Sequence, residues 1–345
     1  MGFLGGVRKI RSFLRVDKSF GIDRDFAMLR QGFFSKRRYF YPFDKFPKEF
    51  LITDWEIEFG FRALNPSTAK ENLKNKVFFQ LMLRHSPVFD RTPGVVGVVA
   101  NGQYRSFSEF NTLDAIFKAK ERVFLKPVSG WAGDGCILAS SRKQVPETGS
   151  YTIEDCGEPH TYSSDIFPHS INTIRVFTLK DEFGEPFIVG AAHRFGGSIK
   201  NPIDNFSKGG ISCGIDMETG ILRSGLSNPG FHSTIFHEYH PVTGVKLSGV
   251  QVPFWEESKK LALDLARYFG DLNYAGWDIY VSPTGPMVIE GNGDLPHPDL
   301  IQVHSPLLAS RRVRNQLQKF GMISLQRKDY IDRLCQTSHI HLDRP

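Results

Sequence analysis

Residues 276–292 read GWDIYVSPTGPMVIEGN. Two apolar runs, 276–281 and 286–291, flank Pro283-Thr284-Gly285, residues that favour a turn, so the stretch reads as an antiparallel hairpin. Side chains alternate between the faces of a strand, which sets Asn292 on the face that carries Glu290, with Asp278 facing them from the neighbouring strand. Mg²⁺ is a hard cation that takes oxygen ligands, usually one or two carboxylates completed by substrate phosphates. An Asp between Gly-Trp and Ile-Tyr, and a Glu closing the run Met287-Val288-Ile289, are costly to bury without a cation. Asp278, Glu290 and Asn292 are therefore candidate metal ligands, and the competing reading is an ordinary polar strand face.

Upstream, residues 123–139 read VFLKPVSGWAGDGCILA. A strand delivers Lys126 just before a loop, Ser129 to Gly135, that carries Gly130, Gly133 and Gly135, and a second strand opens at Ile137. Glycines let backbone N–H groups approach phosphate oxygens, while an ammonium at the strand end neutralises anionic charge. Taken alone, a plain glycine-rich hairpin turn explains this segment better than a phosphate site does.

Working outward, Thr68 and Glu71 form a capping-box pattern ahead of Leu73, Val77, Phe78, Leu81 and Met82, which predicts a helix over about 68–84. Ser106 with Glu109 offers a second box before a helix through Leu113, Ile116 and Phe117 that ends near Arg122. Residues 171–179 and 187–195 predict another antiparallel hairpin, and a helix through Leu261, Leu265 and Phe269 is expected to end at Gly270. Residues 1–20 space Phe3, Leu4, Val7, Ile10 and Leu14 as a basic amphipathic helix. Docking of that helix on the protein's own core is favoured, with peripheral membrane contact as the alternative. Residues 30–60, dense in aromatics and proline, read as irregular packing. Capped helices interleaved with antiparallel hairpins define an α+β protein.

Length and composition bound the rest. A chain of 345 residues with 40% hydrophobic and 23% charged residues can build a core, and it fits neither a disordered nor a fibrous class. The net charge of +6 suits anionic ligands such as nucleotides, while no feature calls for nucleic acid. Cys136, Cys156, Cys213 and Cys335 form neither a CxxC pair nor a disulfide framework, so a reducing, cytoplasmic setting is expected. Apolar runs such as 95–100 and 187–192 fall far short of the ~20 residues a membrane helix needs. Arg8, Lys9, Arg11 and Arg15 interrupt any signal-peptide core, and Gly6 stands where a myristoylation motif wants Ser or Thr. His193, His240 and His297 show no zinc-binding spacing and read as local hydrogen-bonders. No GxSxG serine or Cys/His motif supports a hydrolase.

The two glycine- and carboxylate-bearing segments, in this order, resemble the ATP-grasp superfamily. SINTIRVFTL at 170–179, AAHRFG at 191–196, DNFSKGGISCGID at 204–216 and HPVTG at 240–244 are similar to its sugar-transfer-associated branch, related to α-L-glutamate ligase-like proteins. The resemblance covers about residues 65–305. It implies a fold of two α+β subdomains gripping a nucleotide, preceded by a helical or irregular N-terminal region. The expected division is 1–64 for that region, 65–155 for the lobe with the nucleotide lysines, 156–310 for the lobe with the metal site, and 311–345 for a C-terminal helical tail.

The resemblance also implies roles. Lys76, in Asn75-Lys76-Val77-Phe78, and Lys126 become nucleotide lysines, and Ser129, Gly130, Gly133 and Gly135 belong to the loop that closes over the phosphates. Glu154, at the end of SYTIED, is the candidate ribose or adenine contact, with Asp155 as its alternative. Asp278, Glu290 and Asn292 match the metal ligands. Arg194, then Arg175, are candidates to brace the γ-phosphate or the tetrahedral intermediate, because Gly276 stands where many superfamily ligases carry an Arg. Asp204, Asn205, Gly209 and Gly210 are candidates for the acceptor side, against the reading of a long ordered turn. The activity implied is an ATP- and Mg²⁺-dependent carboxylate-amine ligase with an acyl-phosphate intermediate, Mn²⁺ being an alternative metal. The branch associates it with sugar or polysaccharide biosynthesis and with a carboxylate, an amine and a sugar-linked substrate as partners. A small-molecule or sugar kinase is the alternative, and a non-catalytic nucleotide-binding protein comes third.

Overall fold

A computed structural model describes residues 3–130, 133–200, 203–227 and 235–337. Trp131 and Ala132 of the expected phosphate loop, and residues 338–345 of the expected tail, lie outside the described residues.

Two antiparallel sheets carry the fold. The first contains β1 (Val95–Ala100), β2 (Gln103–Ser106), β3 (Val123–Pro127), β4 (Ile137–Ala139) and β5 (Ser150–Glu154), in the order β2-β1-β5-β3-β4. Val96, Val99, Ile116, Val123, Leu125, Ala139 and Ile153 form its core, joining one face to the helix Leu113–Ala119. The second contains β6 (Ile174–Lys180), β7 (Pro186–Phe195), β8 (Ile211–Ile215), β9 (Leu222–Ser227), β10 (Phe236–His237), β11 (Tyr274–Ser282) and β12 (Gly285–Asn292), in the order β10-β9-β8-β7-β6-β11-β12.

The hairpins expected at 171–195 and 276–292 are present as β6–β7 and β11–β12. β11 is buried at every position because the sheet is covered on both faces. The helix Trp255–Tyr268 seals one through Leu261, Leu265 and Ala266. Phe50, Ile52 and Phe61, with Leu308, Val313 and Leu317, seal the other. Covering both faces removes the polar-out alternation of a one-sided sheet, so any charge on this strand must find its partner inside the protein.

Three local readings need correction. The expected helix at 68–84 is two helices, Ser67–Lys74 and Lys76–Arg84, because the Asn75 side chain accepts from Val77 N and Phe78 N at 3.0 and 3.2 Å and starts a new helix. The Thr68–Glu71 box is not used, since the first of these helices is entered from Pro66 without a side-chain cap. Ser106 lies in β2, and Thr112 caps the next helix instead, accepting from Ala115 N at 3.1 Å. Residues 30–60 are more ordered than expected. Thr53 and Glu56 close a reciprocal capping box and open a helical run, Asp54–Leu64, whose middle widens into a π-turn.

The N-terminal helix, Phe3–Ser19, docks on this region as favoured. Phe13 is buried against Phe34, Trp55 and Phe59. All four cysteines are free. Among the described residues, no helix is long and apolar enough to cross a membrane.

Candidate functional site

The site is built where β6, β7, β11 and β12 lie side by side. Strand pairing sets Asp278 opposite Glu290 on one side and opposite Arg175 on the other, and sets Gly276 opposite Asn292. A bulge immediately after Asp278 shifts the β11–β12 register, a common device for aiming a side chain.

Asp278 is the electrostatic hub. Arg175 donates to both its oxygens, Nε to Oδ1 at 2.6 Å and Nη2 to Oδ2 at 3.0 Å, and Arg194 Nη2 reaches Oδ2 at 3.0 Å. All three residues are at most 5% exposed. Burial alone would raise the Asp278 pKa, but Arg175 and then Arg194 override it and hold the carboxyl well below the usual range. Glu290 moves the other way. Desolvation first, and then the charge of Asp278 to which it is hydrogen-bonded, push its pKa up, opposed by Lys76 and Arg175.

Gly276 explains how Arg175 gets there. A Cβ at residue 276 would stand 3.0 Å from Arg175 Cδ and 3.1 Å from the Pro296 carbonyl oxygen, so the missing side chain is the corridor the arginine uses. Arg194 is braced from behind, its guanidinium donating to Thr173 Oγ1. Thr173 in turn donates its N–H and hydroxyl to Asp204 Oδ2, at 2.7 and 2.5 Å. A chain of polar contacts therefore runs from half-buried Asp204 through Thr173, Arg194 and Asp278 to Arg175.

The lysines arrive from the other sheet and its neighbouring helix. Lys126 on β3, 8% exposed, meets Glu154 Oε2 at 2.5 Å, and Thr152 donates to the other Glu154 oxygen at 2.9 Å. The Glu154 carboxylate is thus occupied by Lys126 and Thr152, while the alternative Asp155 pairs with Lys120 at 2.7 Å. Lys76 heads the Lys76–Arg84 helix, its N–H bonding Val128 O at 3.2 Å and its ammonium reaching Gly130 O at 3.4 Å. Cys136, at the far end of the glycine loop, feels Lys126, Lys76, Glu290 and Glu154 at once, although burial dominates and raises its pKa. Both lysines and Glu290 are thus within electrostatic reach of this one cysteine.

In the loop, Gly133 and Gly135 have φ of +75° and +73°, where a side chain is strained, and Ser129 is exposed. Asp134 pairs with Lys208 at 3.0 Å, which joins the loop to the turn at 204–210. In that turn Asn205 caps Phe206–Lys208 by accepting from Ser207 N at 2.9 Å, and Gly209 has φ of +98°. A Cβ on Gly210 would lie 2.4 Å from Asp204 O. Asn205, Gly209 and Gly210 thus shape an ordered turn, and Asp204 is the member that reaches the arginine network. Asn292 Nδ2 donates to Gly276 O at 3.3 Å, across the β11–β12 pair.

Sequence reading missed Thr173 and Thr152, while two of the three histidines behave as read. His193 bonds the Tyr162 hydroxyl at 2.7 Å and His240 bonds Gly196 O at 2.8 Å, as local hydrogen-bonders. His297 differs: it has φ of +52°, sits between Pro296 and Pro298, and lies within electrostatic reach of Asp278, Arg175 and Arg194. Its pKa falls to about 4, through desolvation first, opposed by Asp299 and reinforced by Arg175. The run Leu-Pro-His-Pro-Asp was the available signal, since paired prolines fix a chain direction.

The donor set fits a hard divalent cation. Asp278 and Glu290 are paired across the hairpin, and Glu290 lacks enough positive charge to ionise at its ordinary pKa. Among the described residues no group of three or more His, Cys, Asp or Glu is placed to hold a metal, so phosphate oxygens and water would complete the shell.

One antiparallel sheet and its neighbouring helix supply the lysines, and the second sheet supplies the carboxylate hairpin. Residues 147–315 match the family model described as sugar-transfer associated ATP-grasp. Similar solved structures include N5-carboxyaminoimidazole ribonucleotide synthetase from Thermotoga maritima, 11% identical with a TM-score of 0.38, covering 66% of this chain and 44% of that one. A biotin carboxylase complex from Campylobacter jejuni is 13% identical with a TM-score of 0.45, covering 77% and 50%. D-alanine–D-alanine ligase from Bacillus anthracis is 13% identical with a TM-score of 0.40, covering 79% and 69%. The chain thus spans about half the length of the first two. No curated protein matches it in sequence.

Proposed function

We propose that the protein is an ATP-dependent carboxylate-amine ligase that activates a carboxylate as an acyl phosphate and passes it to an amine, in the assembly of a sugar-linked product. The observation that carries this reading is the pairing of buried Asp278 with half-buried Glu290, with two arginines on Asp278 and lysines within electrostatic reach. Such a site offers charge neutralisation and positioning, which is what phosphoryl transfer from ATP requires.

In this reading residues 65–155 and 156–310 are the two lobes that grip the nucleotide. Lys76 and Lys126 neutralise phosphate oxygens, and Glu154 holds Lys126 in place. Ser129, Gly130, Gly133 and Gly135 bring backbone N–H groups to the phosphates and exclude water from the acyl phosphate. Asp278, Glu290 and Asn292 would hold Mg²⁺, which when bound spreads the charge developing on the transferred phosphoryl group. Arg194 and Arg175 stabilise the oxyanion formed when the amine attacks. Asp204 positions Arg194 through Thr173, and Asn205, Gly209 and Gly210 shape the acceptor side.

The test is incubation of the purified protein with Mg-ATP, a panel of carboxylic acids and hydroxylamine. Free phosphate with a hydroxamate product supports the ligase. Phosphate retained on an acceptor hydroxyl, with no hydroxamate, would instead establish a kinase.

A further inference from the structure

The N-terminal helix is only half explained by its docking. At 100° per residue, Phe13 and Asp17 fall on the inward face, where Phe13 is 4% exposed and Asp17 accepts from Ser35 N and Oγ at 2.6 and 2.9 Å. Arg8, Arg11, Arg15 and Lys18 fall within about 80° of arc on the outward side, and all four are exposed. None of the four forms an ion pair among the described residues. Residues 1–16 contain no acidic residue at all.

Beside this basic stripe runs an apolar edge. Ile10 is 51% exposed, with half-buried Val7 and Leu14 along the same side. A second apolar group stands close to the end of the helix. Asp25 N donates to the Ser35 hydroxyl that Asp17 holds, and the next residue, Phe26, is 70% exposed. Water solvates the arginines well but gains nothing from Ile10 and Phe26, so a soluble role alone leaves this edge unexplained.

We infer that the outward face of the Phe3–Ser19 helix docks on an anionic lipid surface. A helix lying in the interface plane places cations at the headgroups and apolar side chains at the acyl boundary, which is the pairing found here. A nucleic acid would satisfy the cations but offers no apolar phase to Ile10 and Phe26, so the lipid is favoured. The cations lie on the far side of the helix from Phe13 and Asp17, and Ile10, Leu14 and Val7 form the edge between the two faces, so core docking leaves both the cations and the exposed Ile10 available to lipid.

The experiment is sedimentation of the full chain with vesicles of phosphatidylcholine alone, or of equal parts phosphatidylcholine and phosphatidylglycerol. Binding is expected only on the anionic vesicles, and it should fade as salt shortens the screening length toward ~3 Å at 1 M. Each basic residue near such a surface is worth about fivefold in partitioning, so Arg11→Gln with Arg15→Gln should weaken binding about 25-fold. Both residues are exposed, so the melting temperature should not change. Ile10→Asp should weaken binding further. A folded wild-type chain that ignores anionic vesicles, or binding indifferent to the arginine changes, would overturn the proposal. So would binding indifferent to Ile10→Asp and matched by duplex DNA, which would show capture by any polyanion.

Discussion

Asp278 and Glu290 are paired across β11 and β12, yet their replacement should have opposite effects on the stability of the metal-free protein. Asp278 makes three short contacts with two buried arginines. Asp278→Asn leaves those cations under-compensated, and breaking a buried pair costs about 3–5 kcal/mol. The amide oxygen still accepts a hydrogen bond, so about 3 kcal/mol is the working figure. At roughly 2 °C per kcal/mol for a chain of this size, the melting temperature should fall by about 6 °C. Glu290 is held at a raised pKa by desolvation and by Asp278, so its ionisation works against folding. Glu290→Gln removes that penalty and keeps a hydrogen-bonding group, so it should be neutral or slightly stabilising.

The pH dependence separates the two further. The Asp278 contribution is present above the unfolded carboxyl pKa of ~3.9 and is lost as pH falls through the lower folded value. The Glu290 penalty is absent below ~4.3 and grows as pH rises toward the folded value, so the advantage of Glu290→Gln should shrink between pH 7 and pH 4. Thermal melts by circular dichroism in chelator, at several pH values, read both effects. If Glu290→Gln destabilises as much as Asp278→Asn at pH 7, Glu290 is compensated by groups other than a cation and the metal argument fails.

Lys126→Met should abolish measurable Mg-ATP binding by calorimetry, and it should also destabilise the fold by stranding the buried Glu154 carboxylate; adding Glu154→Gln should recover the stability without the binding. Thr173→Val cuts the bridge between Asp204 and Arg194, with an expected cost of about 1–3 kcal/mol in urea denaturation and a smaller loss in Asp204→Asn. Gly135→Ala forces a side chain onto a backbone at φ +73° and toward Pro127, so it should slow turnover more than it lowers the melting temperature, and hydrogen exchange at residues 129, 130 and 133–135 should lose its Mg-ATP-dependent protection.

How much of this was legible in the sequence depends on the range of the interaction. Strand periodicity and turn residues are local, and the hairpins at 171–195 and 276–292 were read within a few residues. Capping boxes were not. The Thr-x-x-Glu pattern occurs at 53–56 and at 68–71, and only the first is formed. Its Glu56 also pairs with Arg327, almost the length of the chain away, so a tertiary partner distinguishes two equal local signals. Asn75 ends one helix and begins another in a segment whose apolar spacing continues unbroken, because a side chain that caps backbone N–H groups leaves no trace in hydrophobic periodicity.

The site shows the same boundary at finer scale. Candidate residues could be named one by one, but which arginine serves Asp278 could not, because Arg175 and Arg194 share the β6–β7 hairpin while Asp278 comes from β11, far along the chain. Gly276 was visible only as an absence. In the fold that absence has a use, since a Cβ there would crowd Arg175 Cδ at 3.0 Å and the Pro296 carbonyl oxygen at 3.1 Å. Returning an arginine to position 276 would therefore not add a third cation to the hub. It would drive Arg175 out of its corridor, break the two-bond contact with Asp278, and push on the Pro296-His297-Pro298 turn whose backbone is already held at positive φ. The glycine on one strand and the arginine on its neighbour are one structural choice, recorded at two positions a hundred residues apart, and only the sheet pairing makes them readable together.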